Sequence, residues 1–262
     1  MSGTRKRFLR PREHGAWGQL AMPLVTGLAL GRPSAASWLF TAASALAFLV
    51  HEPVLVLLGS RGARARMEDG SLAWRQLWLL GGLGAAAGAG ALCLAPAAAR
   101  LSLAIPAALI AATLALASRR LEMTSLGAAV IGAAMAAALL PVALSSGAAV
   151  PAAAAAFSAW TLSFSMAAVA VEAVLARGRP GARDLGRRSA GLALGLWVVG
   201  FLLSAIFGLS WSAPLSLTPT ALLCASACLG GAGPGRLREL GWALVGSTSA
   251  TLVVLIVALR SE

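Results

Sequence analysis

No residue from Met123 to Val171 carries a charge, and those 49 residues, wound as one helix at about 1.5 Å each, would be over twice as long as a bilayer core of about 30 Å is thick. Such a run fits neither a soluble surface nor a single crossing. It reads as two spans joined by a turn, for which Ser145-Ser146-Gly147 through Pro151 supplies the residues. The same reasoning divides Ser189 to Gly235 at Ser210-Trp211-Ser212-Ala213-Pro214, into spans of 189–209 and 215–233. The intervals 14–31, 33–59, 76–99, 101–118 and 240–259 each read as one span, the second holding His51-Glu52-Pro53. The expected fold class is therefore all-α: a polytopic integral membrane protein of about nine transmembrane helices, with a basic tail over 1–13 and one transmembrane domain over 14–262.

Composition agrees. The chain is 59% apolar and 11% charged, where soluble domains carry about 25% charge, so soluble and disordered classes are excluded. The 21 Lys and Arg against 9 Asp and Glu would suggest nucleic acid in a soluble protein, but here they sit between apolar runs and report topology, so no nucleic-acid partner is expected. Counted in alternate loops, 18 of the 21 fall on one side; Arg32, Arg100 and Arg260 fall on the other. By retention of basic loops this places the N-terminus in the cytoplasm and the C-terminus outside. The first helix reads as a retained span, not a cleaved signal. Trp38 and Trp211 at one boundary, and Trp17, Trp74, Trp78 and Trp242 at the other, suit interfacial anchors. Gly27 with Gly31, Gly84 with Gly88 and Gly191 with Gly195 make small-xxx-small pairs for close helix approach.

Two segments resemble each other: Glu52-Pro53-Val54-Leu55 followed by Gly62-Ala63-Arg64, and Glu172-Ala173-Val174-Leu175 followed by Gly181-Ala182-Arg183. Four helices apart, they suggest parallel repeat halves, 14–120 and 123–235, with the helix 240–259 added and a shared site between the halves. A carboxylate inside a membrane is costly and is a candidate site by default, which singles out Glu52, nine residues before Arg61 and so about 13 Å up the helix, and then Glu172. The alternatives are packing glue for Glu52, through His51 or an arginine on a neighbouring helix, and a snorkelling surface pair for Glu172. Pro53 frees the Leu49 carbonyl toward the same place. The only histidines, His14 and His51, sit at unmatched depths, which disfavours haem, and Cys93, Cys224 and Cys228 lie in apolar runs as small hydrophobes. No cofactor and no metal site are expected. Arginine-rich loops after the second and sixth spans, with Arg61 and Arg64, then Arg177 and Arg183, suit a phosphate or carboxylate, or simply anionic headgroups.

The segment Pro11-Arg12-Glu13-His14-Gly15-Ala16-Trp17-Gly18-Gln19-Leu20, followed by Pro23 and Gly27, resembles the start of the YwiC-like family of bacterial membrane proteins, chiefly in His14-Gly15-Ala16-Trp17. The resemblance implies a polytopic membrane protein and no particular activity; with it, Arg12 and Trp17 join the candidate ligand-binding residues. The order of nine helices, with polar positions and charged loops at the same ends of the second and sixth, is also similar to the UbiA-type intramembrane prenyltransferases. Those use two Asp-rich motifs to hold magnesium and a prenyl diphosphate, whereas this chain has only Asp69 and Asp184, which disfavours metal-dependent prenyl transfer. Three readings follow. In the first, an intramembrane site open to the cytoplasm binds an amphipathic anion such as an isoprenoid or lipid phosphate, with His14, His51, Glu52 and Glu172 as candidate catalytic groups and Arg12, Trp17, Arg61, Arg64, Arg177 and Arg183 as ligand contacts. The others are a proton-coupled transporter of a small solute and an accessory or assembly subunit with a membrane protein partner.

Overall fold

Ala, Leu, Gly and Val leave the backbone nothing to bond but itself in an apolar solvent, and the chain answers with helix throughout. The computed structural model describes residues 8–9, 14–119, 121, 124–177, 181–230 and 233–261, and no strand occurs among the described residues. The helices are α1 (His14–Ala29), α2 (Ala35–Leu57), α3 (Ala63–Leu94), α4 (Ala97–Ser102), α5 (Ala104–Ser118), α6 (Ser125–Ala137), α7 (Leu139–Ser145), α8 (Val150–Leu175), α9 (Ala182–Phe207), α10 (Ser212–Ser216), α11 (Thr218–Leu229) and α12 (Leu237–Ser261).

Three of the boundaries are interruptions of a single residue. Leu103, Ala138 and Leu217 keep right-handed helical angles between α4 and α5, α6 and α7, and α10 and α11. Each lies two or three residues before a proline, Pro106, Pro141 or Pro219, whose missing N–H removes one rung of the helical ladder. Counted as rods, the described residues therefore make nine, in the expected order. Seven are long and apolar enough to cross a membrane by length and composition; α1, with 16 residues, and α10–α11 are shorter.

The turns fall where the sequence places them. Gly147 (φ 82°) closes the turn between α7 and α8, and Gly208 (φ 61°) ends α9 ahead of the Ser210–Pro214 breaker. Contacts between turns show which rod ends lie together. At one end Ser60 Oγ donates to the Ala117 carbonyl at 3.3 Å, and Arg177 reaches the end of α11. At the other, Arg32 N–H donates to the Ser146 carbonyl at 2.7 Å and Ser34 Oγ to the Ser145 carbonyl at 2.8 Å. The first set is the arginine-rich end.

One expectation needs correction. The arginines placed in long loops mostly sit on helices, because α3 begins at Ala63 and not near residue 76, and α9 begins at Ala182. Arg64 and Arg66 ride the first turns of α3, and Arg183, Arg187 and Arg188 those of α9. Ala, Arg, Met and Glu are good helix formers, and the Arg64–Glu68 pair at i, i+4 adds to this, so the helix continues past the apolar stretch. At 32 residues α3 is about 48 Å long, more than a bilayer core needs.

The best-buried layer is α7 and α8, flanked by α1, α6 and α11, with Trp160, Leu139, Met166 and Val142 fully enclosed. Small residues set the spacing. A Cβ on Gly132 would meet Phe164 Cβ at 2.7 Å, and one on Gly186 the Cys228 carbonyl at 2.6 Å. Gly27 and Gly31 press α1 on α7 as their spacing predicts, but Gly191 and Gly195 have nothing within 4 Å and face outward. All six tryptophans assigned to the boundaries are exposed, whereas Trp160 and Trp197 are turned inward and donate to Thr26 Oγ1 and the Pro214 carbonyl, both at 3.0 Å.

Candidate functional site

The second helix carries two adjacent polar residues that point to different surroundings. Glu52 is 6% exposed and bound by the turn that follows its own helix: Arg61 Nε donates to Oε1 at 3.0 Å and Nη2 to Oε2 at 2.6 Å. The turn can double back this tightly because Gly59 (φ 78°) and Gly62 (φ 93°) adopt left-handed angles that a side chain disfavours. The depth reckoned from the sequence is corrected too, since α2 ends at Leu57 and Glu52 is only five residues, about 7.5 Å, from that end. The arginine that pairs with Glu52 is not on a neighbouring helix, as the sequence alternative had it, but nine residues on, in the turn that follows its own helix.

His51, by contrast, lines a cavity of about 610 Å³. Its walls are α2, α3, α5 and α6, with Leu20 of α1 and Pro141 of α7 at the margins. On α2 the lining residues Phe40, Ser44, Ala47, His51 and Val54 recur at helical spacing. On α3 they are Gly81, Gly84, Gly88 and neighbours, whose missing side chains leave the space open; a Cβ on Gly88 would meet nothing within 4 Å. The α5 and α6 walls bring Ile110, Thr113, Ile131 and Met135. α3 packs along α2, and the cavity separates it from α5, with which it makes no extensive contact. The seam between α8, α9 and α10 is nearly closed, retaining about 10 Å³, no more than one water needs.

The other candidates are dispersed. Trp17 is exposed and meets Phe48, a cavity wall, edge-to-face at 5.0 Å between ring centroids. Arg12 and the side chain of His14 lie outside the described residues. Arg64 is exposed and pairs with Glu68 at 2.7 Å. Glu172 is exposed on α8, so the two glutamates of the resembling segments stand in unlike surroundings; Arg183 is exposed on α9. Among the described residues no arginine lines the cavity. Among the described residues no group of three or more His, Cys, Asp or Glu could hold a metal ion.

Arg177 has a structural task. Its guanidinium donates to the carbonyls of Ala227, Cys228 and Gly230 at 2.5 to 2.9 Å, satisfying the C-terminal end of α11 with a positive charge where the helix dipole favours one. Arg177→Met is expected to lower stability by about 2 kcal/mol, the scale of hydrogen bonds from a charged donor, seen as a lower melting temperature in detergent. An unchanged melting temperature would show that the carbonyls find water instead.

Sequence reasoning missed Ser44, Phe48, Gly88, Thr113 and Met135. A signal was present in part, as a helical stripe from Phe40 to Val54 facing a glycine-rich run from Gly81 to Gly90, but neither reveals which helices meet.

Helical rods of span length, tryptophans turned outward and an apolar chamber among the helices define a polytopic membrane protein. The family model described as YwiC-like protein matches residues 10–144, and the chain belongs to that family. The matched stretch takes in the His14–Trp17 motif and every residue lining the large cavity, while Glu172, Arg177 and Arg183 lie beyond it. No curated protein and no solved structure matches the chain.

Proposed function

We propose that this protein binds the hydrocarbon chain of a membrane lipid or isoprenoid in the cavity between α2, α3, α5 and α6, with its arginine-rich end on the cytoplasmic side of the bacterial inner membrane. The observation that carries this reading is the cavity itself. Its volume is that of a small-molecule site, its lining is apolar but for a few polar side chains, and its walls α3 and α5 are not sealed against each other, so a lipid has a sideways path into it. An anionic head, the form suggested by the arginines, finds no counter-ion inside the chamber, because among the described residues no cation lines it. Proton coupling through Glu52 has less support, since both carboxylate oxygens are already held by Arg61.

The test is native mass spectrometry with lipid extraction on protein purified gently from its own membranes, beside Gly88→Leu. Leucine at this position meets no neighbour at its Cβ, is a better helix former than glycine, and projects into the chamber. The wild type is expected to carry a stoichiometric lipid, and Gly88→Leu to lose it at an unchanged melting temperature. Equal lipid occupancy in the two proteins would overturn the reading.

A further inference from the structure

The lining of the cavity also limits what kind of head can enter it, an inference that rests on the lipid-binding reading above. Among the described residues its hydrogen-bonding side chains are Ser44 and His51 on α2 and Thr113 on α5, and no arginine, lysine, aspartate or glutamate lines it. An ionised phosphate moved into such a chamber would lose its hydration without gaining a counter-ion, a penalty of several kcal/mol. The nearest cation along α2, Arg61, is held on both carboxylate oxygens of Glu52, so that pair presents no net charge.

The depth of the polar groups is set by the contact of Ser60 with Ala117, which aligns the ends of α2 and α5. Both rods run toward the arginine-rich end, and Thr113 and His51 lie within about one helical turn of each other in depth, roughly 5 Å. Thr113 Oγ1 donates its proton to the Leu109 carbonyl at 2.9 Å, so toward the cavity the hydroxyl oxygen can act only as an acceptor. A ligand group that meets it must bring a proton. From this level the chamber continues past Ser44 to Phe40, Leu92 and Leu103 as an apolar passage.

We propose that the ligand is an uncharged long-chain lipid with a hydroxyl head, of the polyprenol or fatty-alcohol kind, seated with its hydroxyl between His51 and Thr113 and its chain along α3 toward Leu92. The hydroxyl donates to Thr113 Oγ1 and bonds the imidazole edge of His51, while the glycines of α3 make room for the chain.

The test uses the full chain in phosphatidylcholine nanodiscs, titrated with tritiated geranylgeraniol and with geranylgeranyl diphosphate, which share one hydrocarbon chain. The alcohol is expected to bind saturably and at least about tenfold more tightly than the diphosphate. Thr113→Val, nearly the same shape, and His51→Leu should each weaken the alcohol about fivefold, the scale of one hydrogen bond, and Thr113→Val should leave the melting temperature in place. Tighter binding of the diphosphate, or an unchanged alcohol affinity in both variants, would overturn the uncharged head while leaving the cavity as a lipid site. Binding of neither compound, or binding that survives Gly88→Leu, would remove the cavity reading and this one with it.

Discussion

Gly31→Ala is expected to remove most of the folded protein. Gly31 follows α1 at the point where the chain turns against α7, and a methyl group there would occupy the same space as the carbonyl of Ser146. That carbonyl is not free to retreat, because it accepts the Arg32 N–H at 2.7 Å, and Ser34 Oγ holds its neighbour Ser145 at 2.8 Å. All seven residues of α7 are buried, so relief by moving the helix would disturb the centre of the molecule. Overpacking of this severity costs about 3 kcal/mol or more. The measurement is the monodisperse yield and melting temperature by fluorescence-detected size exclusion, with Gly191→Ala as control, since that position has open space around it. A Gly31→Ala protein that melts with the wild type would mean the α1–α7 contact is looser than described.

The second large effect lies in the Glu52–Arg61 pair, and it is unequal. The carboxylate is enclosed, with 8% of its side chain exposed, whereas 39% of the Arg61 side chain is exposed. Arg61→Leu therefore leaves a buried charge with no partner, at a cost of about 3 kcal/mol, whereas after Glu52→Leu the arginine can turn to water for about 1 kcal/mol or less. The double variant should recover most of what Arg61→Leu loses, because two apolar groups can replace a buried pair at little cost. Melting temperatures of the three proteins decide it: equal losses in the single variants would show that the pair is not the reason Glu52 is tolerated at that depth.

The number and order of the helical rods were legible because charge is so expensive in hydrocarbon that the gaps between charged residues mark the crossings. Turn residues were legible for a similar reason: Gly147 and the Ser210–Pro214 stretch break a helix whatever surrounds them. The six exposed tryptophans could be assigned by position alone, while the inward turn of Trp160 depends on a partner, Thr26, that is 134 residues away in sequence. Helix ends on the arginine-rich side were misread, since the cue used was the end of apolarity and a helix need not stop there. The site was the least legible part. Glu52 drew attention as a charge in the wrong solvent, and the turn through Gly59 and Gly62 that lets Arg61 neutralise it has no periodic signature. His51 was among the candidates, but Thr113 and Gly88 became interesting only because α2, α3, α5 and α6 surround one space.

The arrangement of α3 has a mechanical consequence. It is anchored along α2 and has the cavity on its α5 side, so tilting it outward parts it from no other helix with which it makes extensive contact, and its further hold is Leu9, whose N–H donates to Gln76 Oε1 at 3.1 Å. The work of widening the chamber is done against neighbouring lipid, whose chains resist in proportion to lateral pressure and acyl order. Ligand exchange should therefore follow the fluidity of the host bilayer, and two variants with the same melting temperature can differ in it by orders of magnitude. In the proposed lipid site the bilayer closes the gap between α3 and α5, and its composition sets how often that gap opens.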